Sequence, residues 1–436
     1  MKILLINGPI PYENAVTHIP LELSYIAALL KKENFEVKGM DLALERNLEV
    51  MFQQILAFNP DIIITPFSRV LFDGTRCLKM SLDFFSKVKN KLPKALFCAI
   101  GEQATFRTQR TLDYHFVDFA IRFSPEITAK NLCVAIQNKE DIENICGVFT
   151  KNNVTKKILD PTWINKMTSL DVLGIPDRTV FNLKAYLAKD TETIIEASRG
   201  CNHRCVFCQR SRYHGNNIER SIPIFLEDLR NCIQLGFKSV FFTDLDFCRK
   251  PERALIISRA IIDARIKIKW ACNMRADIID EENYMKILTT MKQAGCYRVF
   301  VGLESANDDV LSAANKGITK DYGIRLKKIL DDIGIKLHAS FLIGLPDDDI
   351  KKMNRTVQYA KELKADMTSI NALIPLPGTP YGDKPAKYGL SIENNNINWF
   401  EQENFLTKQV AGNKHLTAEE IENWHKDAYK RLLLDD

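Results

Sequence analysis

The sequence lacks an apolar stretch of about 18 residues, the length that a membrane-spanning helix needs, so we expect no transmembrane span. Residues 1–7 carry one positive charge and too short an apolar run for a secretory signal, and are instead expected to form a strand. Basic charge is also not concentrated, because 60 Lys and Arg stand against 55 Asp and Glu and no basic run is denser than residues 87–94. A nucleic-acid partner is therefore not expected.

Internal repeats and low-complexity tracts are missing too, and the 46% of hydrophobic residues is ordinary for a globular protein. The 436 residues are enough for two or three packed domains. Eleven cysteines without a secretory signal indicate a reducing compartment, the cytoplasm, where thiols bind metals or lie in cores. Because the composition does not indicate a nucleic-acid partner, we expect a small-molecule substrate.

Residues 1–135 alternate short β-branched runs with amphipathic helical stretches, which is typical of a doubly wound, Rossmann-like α/β domain. Strands are predicted at 2–7, 36–40, 61–66 and 94–100, and helices at 21–33, 47–58 and 76–91. Residues 136–190 are irregular and contain Asp160-Pro161, Gly174 and Pro176, which favours a linker. Ligands of doubly wound sheets bind beyond the carboxyl ends of the strands, so the loops after Asn7, Pro66 and Ile100 are candidate sites.

Residues 191–380 resume the alternation with longer units. Strands are predicted at 193–198, 239–243, 267–272, 298–303, 336–343 and 368–373, and helices at 224–235, 253–264, 283–294 and 324–333. Six such units predict a partial (β/α)6 TIM-like barrel, with its chemistry at the carboxyl ends of the strands. Residues 381–436 are expected to form a C-terminal helical extension, ending in a helix over 417–434.

Three cysteines follow the first strand of the predicted barrel. Cys201, Cys205 and Cys208 are separated by three and two residues, a spacing that lets one short loop ligate three irons of a [4Fe–4S] cube. The fourth iron then remains open to a small chelating molecule. Zinc is the alternative, but a structural zinc site needs a fourth Cys or His, and His203 lies inside the loop. The remaining cysteines form no second such cluster, and no auxiliary iron–sulfur centre is predicted.

The Cys201-x-x-x-Cys205-x-x-Cys208 loop at the end of a first barrel strand resembles the radical S-adenosylmethionine superfamily. The resemblance implies that S-adenosylmethionine chelates the fourth iron through its amino and carboxylate groups. Reductive cleavage then yields methionine and a 5′-deoxyadenosyl radical, with electrons from an external donor such as flavodoxin or ferredoxin. Phe207 matches the position whose backbone meets the adenine.

Two further strand ends match the same pattern. Asp244 and Asp246 resemble the acidic segment that faces the methionine ammonium, with Asp244 the first choice; a pair of helix N-caps is the competing interpretation. Arg275 ends the third strand, where a guanidinium can bind a carboxylate bidentately. A structural salt bridge remains open for Arg275.

The last three strand ends complete the resemblance. Glu304 and Ser305 stand where family members contact the ribose and methionine, and Gly344 stands in the adenine-facing glycine segment. Residues 377–380 match a Pro-Gly-Thr-Pro segment. His338, within the fifth strand, is a candidate for proton transfer, although a satisfied core histidine is favoured.

The N-terminal domain resembles the cobalamin-binding subclass of the superfamily. Gly101 and Glu102 lie where that subclass carries a Gly-Gly-Pro-His segment, and Ser68 follows the third strand. The sequence has no Asp-x-His-x-x-Gly motif, so no histidine is expected to replace the lower cobalt ligand. The segment at Gly101 has fewer glycines than is usual in this subclass, which leaves less room for a corrinoid tail. The alternative is that this Rossmann-like domain no longer binds cobalamin and only docks onto the barrel or binds substrate.

The resemblance implies an enzyme that transfers a methyl group from methylcobalamin to an unactivated carbon of a small molecule. The same subclass contains cyclases, isomerases and oxidases that transfer no methyl group, which is a second hypothesis. A non-catalytic metal-binding interaction module is a third.

Overall fold

The computed structural model describes residues 1–9, 18–45, 47–67, 70–71, 74–75, 78–158, 167–190, 192–392 and 409–433. The chain divides into two compact units. The described residues of the first unit lie within 1–194 and 218–237, and those of the second lie within 195–217, 238–392 and 409–433. The chain therefore enters the second unit, returns to the first for one helix, and leaves it again.

The strands and helices alternate through most of both units. The strands are β1 (Lys2–Asn7), β2 (Glu36–Asp41), β3 (Ile62–Pro66), β4 (Val70–Leu71), β5 (Gly74–Thr75), β6 (Leu96–Ile100), β7 (Phe119–Ile121), β8 (Val148–Phe149), β9 (Thr193–Ile195), β10 (Ser198–Arg199), β11 (Ile218–Glu219), β12 (Ser239–Phe242), β13 (Lys269–Asn273), β14 (Cys296–Glu304), β15 (Lys336–Ile343), β16 (Met367–Ala372), β17 (Ser391–Ile392) and β18 (Ala411–Gly412). The α-helices are α1 (Leu21–Lys32), α2 (Leu48–Phe58), α3 (Leu78–Lys91), α4 (Gly101–Phe106), α5 (Thr108–Asp113), α6 (Glu126–Asn138), α7 (Val154–Lys157), α8 (Leu183–Ala188), α9 (Arg210–His214), α10 (Ile222–Gln234), α11 (Pro251–Asp263), α12 (Tyr284–Gln293), α13 (Asp308–Ala313), α14 (Lys320–Ile333), α15 (Ile350–Leu363), α16 (Pro380–Asp383) and α17 (Ala418–Leu433).

The first unit contains a six-stranded sheet in the order β2-β1-β3-β6-β7-β8, parallel except for the antiparallel β7–β8 pair. Strand β3 is buried along its whole length, as a central strand covered on both faces must be. The strand order reverses direction at β1, which creates a topological switch point between β1 and β3. The predicted doubly wound α/β domain is confirmed. The short strands β4 and β5 follow β3 in the sequence and pair with each other.

The predicted helices of the first unit are close to the observed ones. Helix α2 begins after Asn47, whose side chain accepts a hydrogen bond from the Val50 N–H and so caps the first turn. The start of the helix predicted at 76–91 falls partly outside the described residues, and α3 is described from Leu78. Helices α4, α5, α6, α7 and α8 had no counterpart among the predictions.

The irregular residues 136–190 belong to the first unit and contain a buried ion pair. Arg178 donates from Nη1 to Asp228 Oδ1 at 2.6 Å, and both side chains are at most 1% exposed. Arg220 Nη1 lies 3.5 Å from the other oxygen of the same carboxylate. Burial opposes the charge on Arg178, but Asp228 outweighs it and raises the Arg178 pKa above its ordinary value. The ion pair therefore ties helix α10, which carries Asp228, to the rest of the first unit.

Strands β12 to β16 lie in the second unit and pair in parallel. They belong to a six-stranded sheet in the order β16-β15-β14-β13-β12-β9. Five of its six strands begin and end within two residues of the predicted bounds. The strand predicted at 193–198 was wrong in extent, because it ends at Ile195 and resumes as β10 at Ser198. Hydrogen bonds from Ala197 and Ser198 to Asp244 cause this break.

The C-terminal residues add helix α17 and the antiparallel β17–β18 pair to the second unit. Thr417 and Glu420 form a capping box at the start of α17, each side chain accepting the other's backbone N–H. His425 of α17 lies 2.7 Å from the Ile370 carbonyl of β16, which fixes the helix beside that strand. Within the described part of the chain, none of the helices combines the length and apolar character needed to cross a bilayer.

We predict that Asp228→Ala destabilises the first unit by about 3–5 kcal/mol, because it leaves the buried Arg178 guanidinium without its carboxylate. Urea unfolding measures the change. The matched control is Glu33→Gln, since Glu33 is 45% exposed and lies 3.8 Å from Lys130; its effect should stay below about 0.5 kcal/mol. Equal unfolding midpoints for the two variants would contradict this account of the ion pair.

Candidate functional site

The cysteine loop begins at a glycine that no other residue can replace without strain. Gly200 has φ +96°, and a Cβ at this position would lie 2.4 Å from the Asn216 carbonyl oxygen. The close approach lets the Cys201 N–H donate to the Gly215 carbonyl at 3.1 Å. Gly200 thus turns the chain sharply out of β10 and closes the base of the loop.

The loop is attached to the carboxyl ends of several strands of the second unit. The Val206 N–H donates to the Ala314 carbonyl, and Gln209 Nε2 donates to the Pro377 carbonyl at 2.6 Å. Val206 and Phe207 also pack against an apolar cluster that follows β14, β15 and β16. Its buried members are Val310, Ala314, Leu345, Leu373, Tyr381 and Leu390. These contacts fix the loop at the carboxyl edge of the sheet.

The three thiols differ in burial. Cys205 is 7% exposed, whereas Cys201 and Cys208 are half-buried. Burial raises the pKa of Cys201 and of Cys205, while the cations of Lys316 and Arg275 act on Cys205 in the opposite direction. No three His, Cys, Asp or Glu side chains of the described residues converge as ligands of one metal ion. A [4Fe–4S] cube spreads its thiolates over separate irons and needs no such convergence.

The two carboxylates after β12 have different surroundings. Both oxygens of Asp244 accept hydrogen bonds from the chain, one from the Ala197 N–H at 2.9 Å and one from Ser198 Oγ at 2.6 Å. Asp246 is 7% exposed; its Oδ2 lies 3.6 Å from His203 Nε2, and its Oδ1 has no partner. Asp244 therefore joins two strands, and Asp246 is the carboxylate that is available to a ligand.

Asp246 lines a polar cavity of about 200 Å³ beside the cysteine loop. His203 of the loop, Arg249 and Arg275 line the same cavity. Arg249 Nη1 lies 3.4 Å from His203 Nε2, so the histidine contacts both a cation and a carboxylate. The cavity connects the cysteine loop to the ends of β12 and β13.

Arg275 was predicted either to bind a ligand carboxylate or to form a structural salt bridge, and in the structure it is hydrogen-bonded to other residues of the chain. Its Nη2 donates to Asp277 at 2.8 Å and to the Lys316 carbonyl at 2.7 Å. These bonds fill most of its donor directions, which favours the structural salt bridge.

Glu304 ends β14 in a strained conformation, with φ +62°. Its Oε1 accepts a hydrogen bond from Lys316 Nζ at 2.8 Å, and both side chains are about nine-tenths buried. A Cβ on Gly302 would lie 2.4 Å from the same oxygen, so the glycine makes room for the carboxylate. Ser305 is 1% exposed and accepts from the Asn307 N–H at 3.1 Å, as a turn residue does.

The end of β15 holds Gly344 with φ +73°. Residues of this turn are fixed by Asn413, whose Nδ2 donates to the Leu345 and Asp348 carbonyls at 2.8 Å. Burial raises the pKa of Asp348 to about 7. The turn is thus rigid and lies next to the apolar cluster that supports the cysteine loop.

His338, the candidate for proton transfer, lies in the middle of β15. Its ring is 4.5 Å from the Phe300 ring, and its Nε2 lies 3.3 Å from Ser369 Oγ. Burial and the charge of Arg298 lower its pKa to about 4, so the imidazole is neutral near pH 7. Cys248 and Cys272 are buried core residues whose pKa is raised by burial.

The carboxyl edge of the first unit's sheet holds two of the three residues predicted to contact cobalamin, Gly101 and Glu102. Gly101 has φ +89° and begins α4 directly after β6, with Glu102 buried beside it. Four buried polar atoms at this edge have no hydrogen-bond partner: Asn7 Oδ1, Thr65 Oγ1, Glu102 Oε2 and Gln103 Oε1. Ser68 lies outside the described residues.

Sequence reasoning missed two residues of this site. Lys316 follows α13 by three residues and belongs to no motif, so only the fold brings it to Glu304 and Cys205. His203 was considered only as a zinc ligand, and its contact with Asp246 depends on how the loop folds against β12.

Comparisons with known proteins agree with this geometry. Residues 195–360 match the Radical SAM superfamily. The chain is 28% identical to "Uncharacterized methyltransferase PH0819" of Pyrococcus horikoshii, over 98% of this chain and 92% of that protein. It is 22% identical to the Hopanoid C-3 methylase of Methylococcus capsulatus, over 87% of this chain and 71% of the methylase.

A similar fold occurs in a solved structure. The radical S-adenosylmethionine methyltransferase TsrM from Kitasatospora setae, with cobalamin and a [4Fe–4S] cluster bound, superposes with a TM-score of 0.73 at 18% identity. The match covers 91% of this chain and 81% of TsrM. At this identity the likeness establishes a shared fold.

We predict that Gly200→Ala removes most of the iron that the protein takes up on anaerobic reconstitution, since the new methyl group collides with the Asn216 carbonyl. Iron per chain and the cluster absorbance measure the effect. Gly334→Ala is the matched control, because Gly334 also has positive φ, at +72°, but its nearest atom is a flexible lysine end at 3.4 Å. Full iron content in Gly200→Ala would refute the role given to this glycine.

Asp244 gives a pH prediction. Burial raises the Asp244 pKa to about 6, against hydrogen bonds from Ser198 and Ala197 that lower it. The folded pKa lies above the unfolded value of 3.8, so the stability that this group contributes is complete below pH 3.8 and is lost as the pH rises through about 6. The unfolding free energy of the wild type minus that of Asp244→Asn should fall by about 3 kcal/mol over this window. A difference that does not change with pH would contradict the raised pKa.

Proposed function

We propose that this chain, whose residues 195–360 belong to the radical SAM superfamily, reductively cleaves S-adenosylmethionine and transfers a methyl group, with cobalamin, to an unactivated carbon of a small molecule. The observation that carries the proposal is the loop of Cys201, Cys205 and Cys208, closed by Gly200 and attached to the ends of the sheet. Three thiolates serve a four-iron cube with one iron left open.

The residues present fit the cluster. The loop supplies three cysteines, its backbone is fixed at Cys201 and Val206, and the cations of Lys316 and Arg275 act on Cys205. When bound, the cluster and S-adenosylmethionine supply the 5′-deoxyadenosyl radical, and cobalamin supplies the methyl group. The protein then has to orient these partners and exclude water.

S-adenosylmethionine is expected to bind the one iron that no cysteine ligates, beside the cysteine loop. We assign Asp246 rather than Asp244 to the methionine ammonium, because only Asp246 has a carboxylate oxygen without a protein partner. The Glu304–Lys316 pair supplies an anion and a cation beside Cys205, which suits the polar atoms of the methionine and ribose. The backbone of Phe207 and the turn at Gly344 are the proposed adenine contacts, and Arg275 and Ser305 support them from behind.

Cobalamin fits the first unit in two respects. The carboxyl edge of its sheet carries four buried polar atoms without partners, and a corrinoid tail with amide and hydroxyl groups can satisfy them. Gly101 and Glu102 lie at the same edge, close to the switch point where doubly wound sheets bind ligands. The electron donor is proposed to be an external protein such as flavodoxin or ferredoxin.

We predict that Cys208→Ala abolishes the dithionite-dependent release of 5′-deoxyadenosine from S-adenosylmethionine, because the cube loses one of its three ligands. Chromatography of anaerobic reactions measures the nucleoside. Cys146→Ala, which removes a half-buried cysteine of the first unit, should leave release and iron content unchanged. Release by Cys208→Ala at the wild-type rate would disprove the proposal.

Cobalamin use gives a separate prediction. Protein purified anaerobically with hydroxocobalamin should retain corrinoid absorbance after desalting, and Gln103→Leu should retain several-fold less, because it removes a buried amide from the edge of the sheet. A product heavier by one methyl group supports transfer. An unchanged or hydrogen-depleted product, with no retained corrinoid, would support a cyclase, isomerase or oxidase instead.

A further inference from the structure

Residues 409–433, which we call the C-terminal segment, hold the turn that follows β15. Asn413 of this segment is 9% exposed, and its Nδ2 donates to the Leu345 and Asp348 carbonyls of the turn at 2.8 Å each. The other half of the amide, Oδ1, accepts two backbone N–H groups of the C-terminal segment itself. One buried side chain therefore uses both of its donors and its acceptor to join the C-terminal segment to the turn.

The turn is short and is bonded within itself across the same residues. Gly344 begins it with φ +73°. The Asp348 N–H donates to the Leu345 carbonyl at 3.0 Å, and the Leu345 N–H donates to Asp348 Oδ2 at 3.1 Å. Asn413 adds a hydrogen bond to the carbonyl of each of these two residues, so its removal frees the turn from the C-terminal segment.

Leu345 connects the turn to the cysteine loop. It is fully buried in the apolar cluster against which Val206 and Phe207 pack. A second residue of the C-terminal segment, Gln409, donates from Nε2 to the carbonyl of Leu373, another member of that cluster, at 2.8 Å. The C-terminal segment is therefore hydrogen-bonded to the backbone at two places in the cluster that supports Phe207.

Helix α17 contacts the turn at its first residue. A Cβ on Gly344 would lie 3.1 Å from Ile421 Cγ2, and Ile421 is fully buried. The helix is itself fixed beside β16, because His425 lies 2.7 Å from the Ile370 carbonyl. Since α17 fills the space that a side chain at Gly344 would take, the position of the turn depends on Ile421 as well as on Asn413.

We propose that Asn413 and Ile421 are positioning residues for S-adenosylmethionine, which hold the Gly344 turn in the place where it meets the adenine. The inference rests on the proposed function, which assigns the adenine to this turn and to the backbone of Phe207. A backbone surface that is ordered before the ligand arrives costs less affinity than one that is ordered on binding. Because Asn413 and Ile421 bind the turn and not the reacting atoms, they act on the affinity for S-adenosylmethionine and not on the chemical step.

Asn413→Asp tests the two donated bonds alone, because a carboxylate still accepts N–H groups where Oδ1 does and donates to neither carbonyl of the turn. The reconstituted full chain is dialysed anaerobically against radiolabelled S-adenosylmethionine without a reductant. We expect the Kd to rise about tenfold, as the loss of two buried hydrogen bonds allows. Iron per chain and the rate of 5′-deoxyadenosine release at saturating S-adenosylmethionine should equal those of the wild type. A wild-type Kd, or a fall in iron content or in the saturated rate, would overturn the proposal.

Lys414→Gln is the matched control. Lys414 is the next residue and reaches the same turn, but its Nζ binds Asp347 at 2.6 Å with 47% of the lysine side chain exposed. An exposed ion pair of this kind contributes little, so the Kd should stay within about twofold of the wild type. An equal rise of the Kd in Lys414→Gln and Asn413→Asp would contradict the role given to the buried amide.

Ile421 provides a second test through a different contact. Ile421→Val keeps Cγ2, the atom nearest to Gly344, and should bind S-adenosylmethionine as the wild type does. Ile421→Ala removes this atom and should weaken binding several-fold, with thermal melts to verify that both variants fold. Equal affinities of the two variants would contradict the positioning role of α17.

Competition experiments separate the adenine from the methionine. Displacement of radiolabelled S-adenosylmethionine is measured with 5′-deoxyadenosine and with methionine as competitors. Asn413→Asp should weaken 5′-deoxyadenosine about tenfold and leave methionine unchanged, because the turn meets only the nucleoside. An equal loss for both competitors would overturn the proposal.

The failure of this inference is separable from failure of the proposed function. Release of 5′-deoxyadenosine with equal affinities in all variants would remove the positioning role and leave the radical chemistry intact. The expected affinities without any release of the nucleoside would leave the positioning role and remove the radical chemistry.

Discussion

The proposed function depends on one constraint, which is that three cysteines of a single short loop reach three irons of one four-iron cube. The loop has only eight residues from Cys201 to Cys208 inclusive and has to turn sharply, and Gly200 provides the turn at φ +96°. The loop also has to be held in place, and hydrogen bonds from Val206 to Ala314 and from Gln209 to Pro377 do this from the segments that follow β14 and β16. A shift of any supporting strand would therefore move the thiols.

The charges around the loop follow from the same constraint. An iron–sulfur cube with three thiolates is an anionic group, and the buried Lys316 and Arg275 lie where their positive charge acts on Cys205. Each of these cations also has an acidic partner, Glu304 and Asp277 respectively, so neither is buried alone. The strained backbone at Glu304 is the cost of bringing its carboxylate back over Gly302 to reach Lys316.

Local patterns in the sequence were sufficient for the fold and for the cysteine loop. Strand β15 has the predicted bounds 336–343, because buried apolar residues occupy every second position of it: Leu337, Ala339, Phe341 and Ile343. Helix α2 begins where Asn47 supplies a cap. The three cysteines could be proposed as cluster ligands from the sequence, because all three thiols come from one short segment.

Contacts between segments that are far apart in the sequence could not be predicted from the sequence. The break after Ile195 depends on the Asp244 carboxylate, 47 residues from Ala197. The sequence favoured Asp244 over Asp246 as the group that faces the methionine ammonium. We propose Asp246 instead, because hydrogen bonds from Ala197 and Ser198 occupy both oxygens of Asp244, and these contacts are not visible in the sequence. Lys316 lies outside every motif, and its position follows from how the segment after α13 folds back toward β14.

The central claim is that one iron of the cluster has no cysteine ligand. Mössbauer spectra test it most directly when the protein is reconstituted with isotopically enriched iron and recorded with and without S-adenosylmethionine. The account predicts that one iron of four changes its isomer shift when S-adenosylmethionine is added, because the other three remain on Cys201, Cys205 and Cys208. A spectrum in which all four irons keep their thiolate-like parameters after addition would contradict it.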